Sequence, residues 1–245
     1  MRIILHGAGG HMGRIVRRLI DDNEEMMLVA AVDVSGVDGC LSSLDDFTGE
    51  ADCVIDFSHH AATQTLLNYC TRRNLPLVLC TTGQTESERA AIAEAGARIP
   101  VFFSANMSPA IAMLAGMAAQ AAKMFPDADI EIIEKHHNRK LDVPSGTALI
   151  LAKSIQTVRE DSVLNIGRHE NGKRTKKEIG IHSLRMGNEV GTHEIIISTG
   201  TQTITLKHEA EDRALFAEGA IVAANYIVHQ PAGVYAMQDM IDSQN

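Results

Sequence analysis

Cysteine is scarce and poorly placed for chemistry. Cys40, Cys53, Cys70 and Cys80 form no CxxC pair and no even spacing, which argues against a disulfide frame or a zinc site and leaves reduced, mostly buried thiols. Positive charge is also in short supply: 22 Lys plus Arg stand against 31 Asp plus Glu, for a formal net charge of -9. A general nucleic-acid or anionic-membrane binder is thereby disfavoured, because such partners reward basic surfaces. An anionic substrate must find a local basic patch instead. Long apolar runs are missing from the N-terminus, where Ile3 to Leu5 is too short for a signal segment or a membrane span, so a cytoplasmic protein is expected. No internal repeat or low-complexity tract is seen.

What is present is enough apolar material, 45% of 245 residues, to bury one large core or two modest ones. The first hundred residues alternate strand and helix patterns. Strands are predicted at 2–6, 27–33, 53–57, 77–80 and 101–104, and helices at 11–21, 60–73 and 86–96. That alternation predicts a parallel sheet. Ser108-Pro109 then opens an Ala/Met-rich helix to Phe125, with Ser108 as cap and Pro109 at the first helical position.

Beyond it the style changes. Strand 130–134 and helix 145–159 are followed by strands 180–185, 194–199 and 202–208 with no helix between them, an α+β pattern that implies antiparallel pairing. The polar stretch 165–177, with Arg168, Lys173, Arg174, Lys176 and Lys177, reads as a mobile loop rather than a binding platform. A last helix is expected over 212–228, opening at Asp212.

Two segments carry chemistry. In GAGGHMG, Gly7, Gly9, Gly10 and Gly13 lie between strand and helix, where missing Cβ atoms permit a tight turn and close approach of backbone amides to a pyrophosphate. Met12 stands where the GxGxxG template expects glycine. Asp33, twenty residues past Gly13 at the end of the second strand, is placed to accept hydrogen bonds from a ribose diol. A purely structural glycine turn remains the competing reading. A 2′-phosphate beside a carboxylate would meet repulsion of up to about 4 kcal/mol at contact with an effective dielectric near 20. With Val34 and not arginine next, NADH is the expected cofactor, with NADPH as the alternative.

The second segment, EKHHNRKLDVPSGTAL, is the local basic patch: His136, His137, Arg139 and Lys140 precede a Pro144-Ser145-Gly146-Thr147 turn that opens a helix. Hydroxyls and free amides at a helix start suit a carboxylate, and imidazoles and an ammonium suit a second one. A histidine near neutrality, or a lysine whose pKa is lowered among cations, can donate a proton. Adjacent strand residues point to opposite faces, so His136 and His137 need different roles unless the strand has ended. A simple helix cap with a solvated loop is the plainer alternative. A metal set of Glu134, His136 and His137 is the weakest reading.

GAGGHMG, CTTG at 80–83, SANMS at 104–108 and EKHHNRKLDVPSGTA together resemble dihydrodipicolinate reductase, and the resemblance runs from residue 1 to the VYAMQDMI ending. It implies an α/β fold: a Rossmann-like parallel-sheet domain over 1–106 and 212–245, and an inserted α+β substrate-binding and oligomerisation domain with a mixed sheet over 107–211. It further implies NAD(P)H-dependent reduction of a cyclic unsaturated dicarboxylate in lysine and diaminopimelate synthesis, by a homotetramer. By the same resemblance His136 and Lys140 are catalytic, and His137, Ser145, Gly146 and Thr147 hold substrate carboxylates. The cofactor runs along Gly7, Ala8, Gly9, Gly10, His11 and Met12, then Asp33, then Cys80, Thr81 and Thr82, then Ser104, Ala105, Asn106 and Met107. Three positions depart from the family pattern: His11 for arginine, Cys80 for the first glycine of GTTG, and Val34 after the acidic residue. Between residues 35 and 50 the chain is also shorter than many members. Two other functions compete: a related two-domain oxidoreductase acting on an aldehyde or amino-acid carbon, and a non-catalytic NADH-sensing module.

Overall fold

The computed structural model describes residues 1–243, which divide into two compact units, Met1–Ser108 with the segment from Ala214 onward, and Pro109–Arg213. The first unit is built on a six-stranded sheet of β1 (Arg2–His6), β2 (Met27–Val32), β3 (Cys53–Asp56), β4 (Leu77–Leu79), β5 (Pro100–Phe103) and, from the returning segment, β11 (Gly233–Tyr235). All its pairings are parallel, and the order is β11-β5-β4-β3-β1-β2. Ile3, Ile4 and Leu5 in β1 and Cys53, Val54 and Ile55 in β3 are each wholly buried, as a sheet covered on both faces requires.

Helices α1 (His11–Asp21), α2 (Thr63–Arg73) and α3 (Glu86–Gly96) make the crossovers. Helix α3 starts where a capping box sits: Thr85 Oγ1 accepts the Glu88 N–H at 3.3 Å, and the Glu88 carboxylate accepts the Thr85 N–H at 2.7 Å. Helix α6 (Ala214–Ile227) belongs to this unit and packs on β3, β4 and β5, with Ala217, Ala220, Ala223, Ala224 and Ile227 fully buried. The chain leaves β1 for β2 on one side and returns to β3 on the other, which makes the ends of β1 and β3 the switch point where open sheets bind ligands.

The second unit lays α4 (Pro109–Met124) and α5 (Gly146–Gln156) on a five-stranded sheet of β6 (Asp129–His136), β7 (Val163–Ile166), β8 (Glu178–Arg185), β9 (Gly191–Ser198) and β10 (Thr203–Ala210). The order is β10-β9-β6-β8-β7. The pairs β10-β9 and β9-β6 are antiparallel, and β6-β8 and β8-β7 are parallel, so the sheet is mixed. Alternation along β6 turns Ile130, Ile132, Glu134 and His136 to the core side. In β9 the matching row is His193, Ile195 and Ile197.

Several elements differ from expectation. Helix α2 is preceded by a 3₁₀ turn at His60–Ala62, and α5 ends at Gln156. Strands β7 and β11 and the helix α7 (Met237–Asp242) were not anticipated: each is short, and none has an apolar run long enough to register. The stretch 165–177 is not a free loop. Its first residues complete β7, and Arg174 donates to Asp129 Oδ1 at 2.8 Å, to the Ile130 carbonyl at 3.0 Å and to Glu131. Lys176 and Lys177 pair with Asp127 at 3.0 Å and Asp161 at 2.9 Å, so these cations serve the unit's own acidic residues. Among the described residues no helix is long and apolar enough to cross a membrane.

Candidate active site

In the first unit the candidate cofactor residues gather at the strand ends. Gly7 has φ +79°, and a Cβ there would lie 2.4 Å from the Phe57 carbonyl oxygen, so the turn after β1 and the turn after β3 touch backbone to backbone. The Gly7 and Ala8 amides donate to the Val32 carbonyl at 2.8 and 3.1 Å, which pins the turn beside β2. Helix α1 then opens at Gly10 with no side-chain cap and no acidic residue in its first turn. Its positive end is thus left for an anion, and His11 lies exposed at that start.

Asp33 follows β2 and reaches back to this turn. Its Oδ2 accepts the Gly9 N–H at 3.0 Å, and its Oδ1 accepts the Ser35 N–H at 3.0 Å and the Ser35 hydroxyl. These bonds, Ser35's first, hold the carboxyl below the usual carboxylate range and keep it charged. A Cβ at Gly9 would meet the Asp33 carboxylate at 3.0 Å and Val37 Cγ2 at 2.6 Å, so the glycine lets backbone and carboxylate share one cradle. Glycine turn, uncapped helix start and charged Asp33 fit the phosphates and ribose of a dinucleotide.

The other predicted cofactor residues lie on the loops after β4 and β5. Cys80 is buried, and burial pushes its thiol well above the ordinary value. Its Sγ lies 4.0 Å from the Val78 carbonyl, so this departure from the family's glycine points into the fold. Thr81 is buried and Thr82 exposed. Ser104 Oγ donates to the Asn106 carbonyl at 2.8 Å, and Asn106 Oδ1 accepts the Ser108 N–H at 2.8 Å, which shapes the SANMS turn around exposed Ala105 and buried Met107. Beneath these loops is a residue that sequence reasoning did not single out. Asp56, 1% exposed at the end of β3, takes His6 Nδ1 at 2.7 Å, Ser58 Oγ at 2.6 Å and Thr81 Oγ1 at 2.5 Å, tying three neighbouring strand ends together.

In the second unit the basic segment follows β6. The strand ends at His136, so the two histidines separate: His136 is buried on the core side, and His137 is half-buried beyond the strand. Glu134 is the hub. Its Oε2 takes His136 Nδ1 at 2.5 Å and Arg185 at 2.9 Å, and its Oε1 takes Arg185 at 2.8 Å and the Ser145 N–H at 3.1 Å. Burial alone would raise this carboxyl's pKa, but the bonds from His136, Arg185 and Ser145 outweigh it and hold the group well below the usual range.

Ser145 caps α5. It is 2% exposed, its amide is committed to Glu134, and its Oγ accepts the Ala148 N–H at 3.2 Å as the cap of α5 while bonding His193 Nε2 at 3.1 Å. Gly146 and Thr147 form the more open start of that helix. His193 stands edge-on to His136, with ring centroids 5.1 Å apart, and burial pushes its pKa down to about 3.

His137 Nε2 accepts from Arg213 at 3.2 Å; burial, with Arg139 and Arg213 nearby, lowers its pKa. Lys140, expected among cations alone, has an acidic partner: its Nζ is 2.9 Å from Asp142 Oδ1. Arg185, His193 and Arg213 were not among the expected residues, and Glu134 was considered only as a weak metal ligand. The signal for Glu134 was available in the alternation of β6, where the apolar row 130, 132 continues as a carboxylate and an imidazole on the same face.

Two family models divide nearly the whole chain between them: the dihydrodipicolinate reductase N-terminus matches residues 1–107, and the dihydrodipicolinate reductase C-terminus matches residues 110–241. The chain belongs to the dihydrodipicolinate reductase family. A 4-hydroxy-tetrahydrodipicolinate reductase of Caldanaerobacter subterraneus subsp. tengcongensis is 41% identical over 98% of both chains. One of Clostridium tetani is 42% identical over 99% of this chain and 98% of its own. A dihydrodipicolinate reductase from Paenisporosarcina sp. TG-14, solved with dipicolinate bound, superposes with a TM-score of 0.80 at 25% identity over 98% of each chain. Membership in the dihydrodipicolinate reductase family makes the chain a pyridine-nucleotide-dependent oxidoreductase, in agreement with the glycine turn and Asp33.

Proposed function

We propose that the chain reduces 4-hydroxy-tetrahydrodipicolinate to tetrahydrodipicolinate, the activity for which its relatives in Caldanaerobacter and Clostridium are named, on the route to diaminopimelate and lysine. The observation that carries this reading is the cluster around Glu134: a buried carboxylate that opens the most family-specific segment of the sequence and fixes His136, the start of α5 and, from β8, Arg185 in one place.

In this reading the dinucleotide is held by residues 7–12, by Asp33 and by the loops 80–82 and 104–107. When bound, its reduced nicotinamide supplies a hydride. The chain's own residues supply the rest. His137, Gly146 and Thr147 neutralise and orient the substrate carboxylates, and Ser145 does so indirectly, by fixing the helix start. The 4-hydroxyl is lost as water together with a hydrogen of the neighbouring ring carbon; the hydride then adds to the unsaturated ring so formed, and the proton that must accompany it comes from the Lys140 ammonium, oriented by Asp142, with His136 assisting.

NADH is the preferred cofactor, because the charged Asp33 would repel a 2′-phosphate and its exposed neighbour Val34 offers no counter-charge. The active form is a homotetramer joined through the face of the second unit's sheet opposite α4 and α5, where Ile133 and Ile196 are half-buried and Leu184 is exposed. Four free, buried cysteines suit a reducing cytoplasm. The test is to mix purified protein with NADH or NADPH and freshly formed product of the preceding synthase, and to follow nicotinamide absorbance. Faster loss with NADH is expected. No loss with either cofactor would remove the reductase reading, and faster loss with NADPH would remove the role given to Asp33.

A further inference from the structure

We infer that Glu134 is a positioning residue for the reaction: it locks His136 as the Nδ1–H tautomer and leaves Nε2 as the one ring nitrogen that can exchange a proton or hydrogen bond with substrate. The inference rests on the reading of His136 as the reacting histidine. An ionised carboxylate has no donor, so every group it binds must donate. Glu134 is fully buried, and each of its oxygens already has two partners: Ser145 N–H at 3.1 Å and Arg185 at 2.8 Å on Oε1, Arg185 at 2.9 Å and His136 Nδ1 at 2.5 Å on Oε2. The two-pronged contact with Arg185 keeps the carboxylate charged. Nδ1 must therefore carry its hydrogen.

The other ring nitrogen is treated in the opposite way. Gly191, on the neighbouring strand β9, stands at the Nε2 side, where a Cβ would come within 3.1 Å of that atom. The glycine keeps a side chain away from the nitrogen that Glu134 leaves open. The imidazole is thus clamped at one end and clear at the other, the arrangement by which a buried carboxylate fixes tautomer and ring orientation and stabilises the imidazolium when it forms. Arg185 takes part twice, since it also donates to the Asp142 carbonyl at 2.8 Å and so links the clamp to the turn that follows Lys140.

The decisive measurement needs no variant for its main result. Two-bond 1H–15N spectra of the wild-type protein, with His136 signals assigned by their loss in His136→Gln, should show a protonated Nδ1 and an unprotonated Nε2 in the neutral ring. The reverse pattern overturns the inference. In Glu134→Gln an amide replaces the all-acceptor carboxylate. We expect the tautomer to change and kcat to fall by about tenfold or more while KM for the dicarboxylate stays within about twofold. Wild-type turnover in that variant also overturns it. Should Glu134→Gln be recovered unfolded, the wild-type spectrum alone decides. Normal turnover by His136→Gln would remove the assignment of His136 on which the inference rests, and the two failures are distinct because the tautomer is read without turnover.

Discussion

Replacing Gly13 by alanine isolates what the glycine turn does. The added methyl would sit 2.2 Å from the Gly7 carbonyl oxygen, 2.7 Å from Ala8 Cα and 2.8 Å from the Ala8 carbonyl carbon. All three are backbone atoms in a turn already wedged against Phe57, so none can rotate aside. Relief must come from withdrawing α1, which packs on α6 and the sheet and whose Ile15, Val16 and Ile20 are buried. Overpacking of this kind costs about 1–3 kcal/mol, and backbone obstruction puts it at the upper end. Alanine's better helix propensity offsets about 1 kcal/mol. The net loss of about 1–2 kcal/mol should lower the melting temperature by about 2–8 °C in a chain of this size. The retreating helix start should also weaken NADH binding. Gly10→Ala is the matched control, since its methyl would meet the same carbonyl at 3.4 Å, an uncritical distance. It should melt as the wild type does but bind NADH about tenfold more weakly, because the methyl stands where backbone must approach an anion. Thermal melts with NADH fluorescence titrations on both variants decide the matter. A Gly13→Ala protein with wild-type melting and affinity would refute the packing argument, and a Gly10→Ala protein with wild-type affinity would refute the cradle.

Asp33→Asn should narrow the NADH-over-NADPH ratio of kcat/KM by about tenfold, less than the bare Coulomb repulsion because Asp33 is partly exposed and screened; an unchanged ratio counts against the carboxylate as selector. Acid should weaken the fold through two groups acting in one direction. His193 has its pKa depressed from 6.5 to about 3, so the unfolded chain binds the extra proton and the contribution, complete above pH 6.5, declines as pH falls toward 3. Glu134, depressed below its ordinary 4.5, adds stability that is present above that pH and is lost on further acidification. Denaturant titrations at several pH values should therefore show a flatter dependence between pH 6.5 and 5 in His193→Gln than in the wild type, and parallel curves would contradict the assignment. Ser145→Ala removes the cap of α5 and the bond to His193, and should cost about 1 kcal/mol in denaturation and raise KM for the dicarboxylate; loss of kcat with KM unchanged would mean that Ser145 acts on the reaction itself.

The first unit was legible in the sequence because its signals are local. Apolar runs at Ile3–Leu5 and Cys53–Ile55, the helix start at Glu86 and the spacing from Gly13 to Asp33 each declare themselves within a few residues. The strand order was consistent with alternation, but β11 was not visible, since Gly233–Tyr235 acquires its meaning from pairing with Pro100–Phe102, more than a hundred residues earlier. The second unit was read less well for the same reason. The parallel neighbours of β6 and β8 and the edge strand β7 are set by long-range pairing, and the basic residues of 165–177 look free until Asp127, Asp129, Glu131 and Asp161 are brought beside them. At the candidate site the motif pointed to His136, His137, Lys140 and Ser145. Their working partners Glu134, Arg185, His193, Arg213 and Asp142 come from strand register and turn geometry, which spacing does not encode.

The returning segment bears on how the molecule is made. Helix α6 and strand β11 complete a sheet whose other five strands are all translated before residue 104, with the second unit intervening. Until Ala214–Ile227 has left the ribosome, the apolar surface of β3, β4 and β5 that it covers has no partner, while every strand and helix of the second unit is already in hand. The inserted unit can thus complete its own core during synthesis, and the six-stranded parallel sheet is closed only after it.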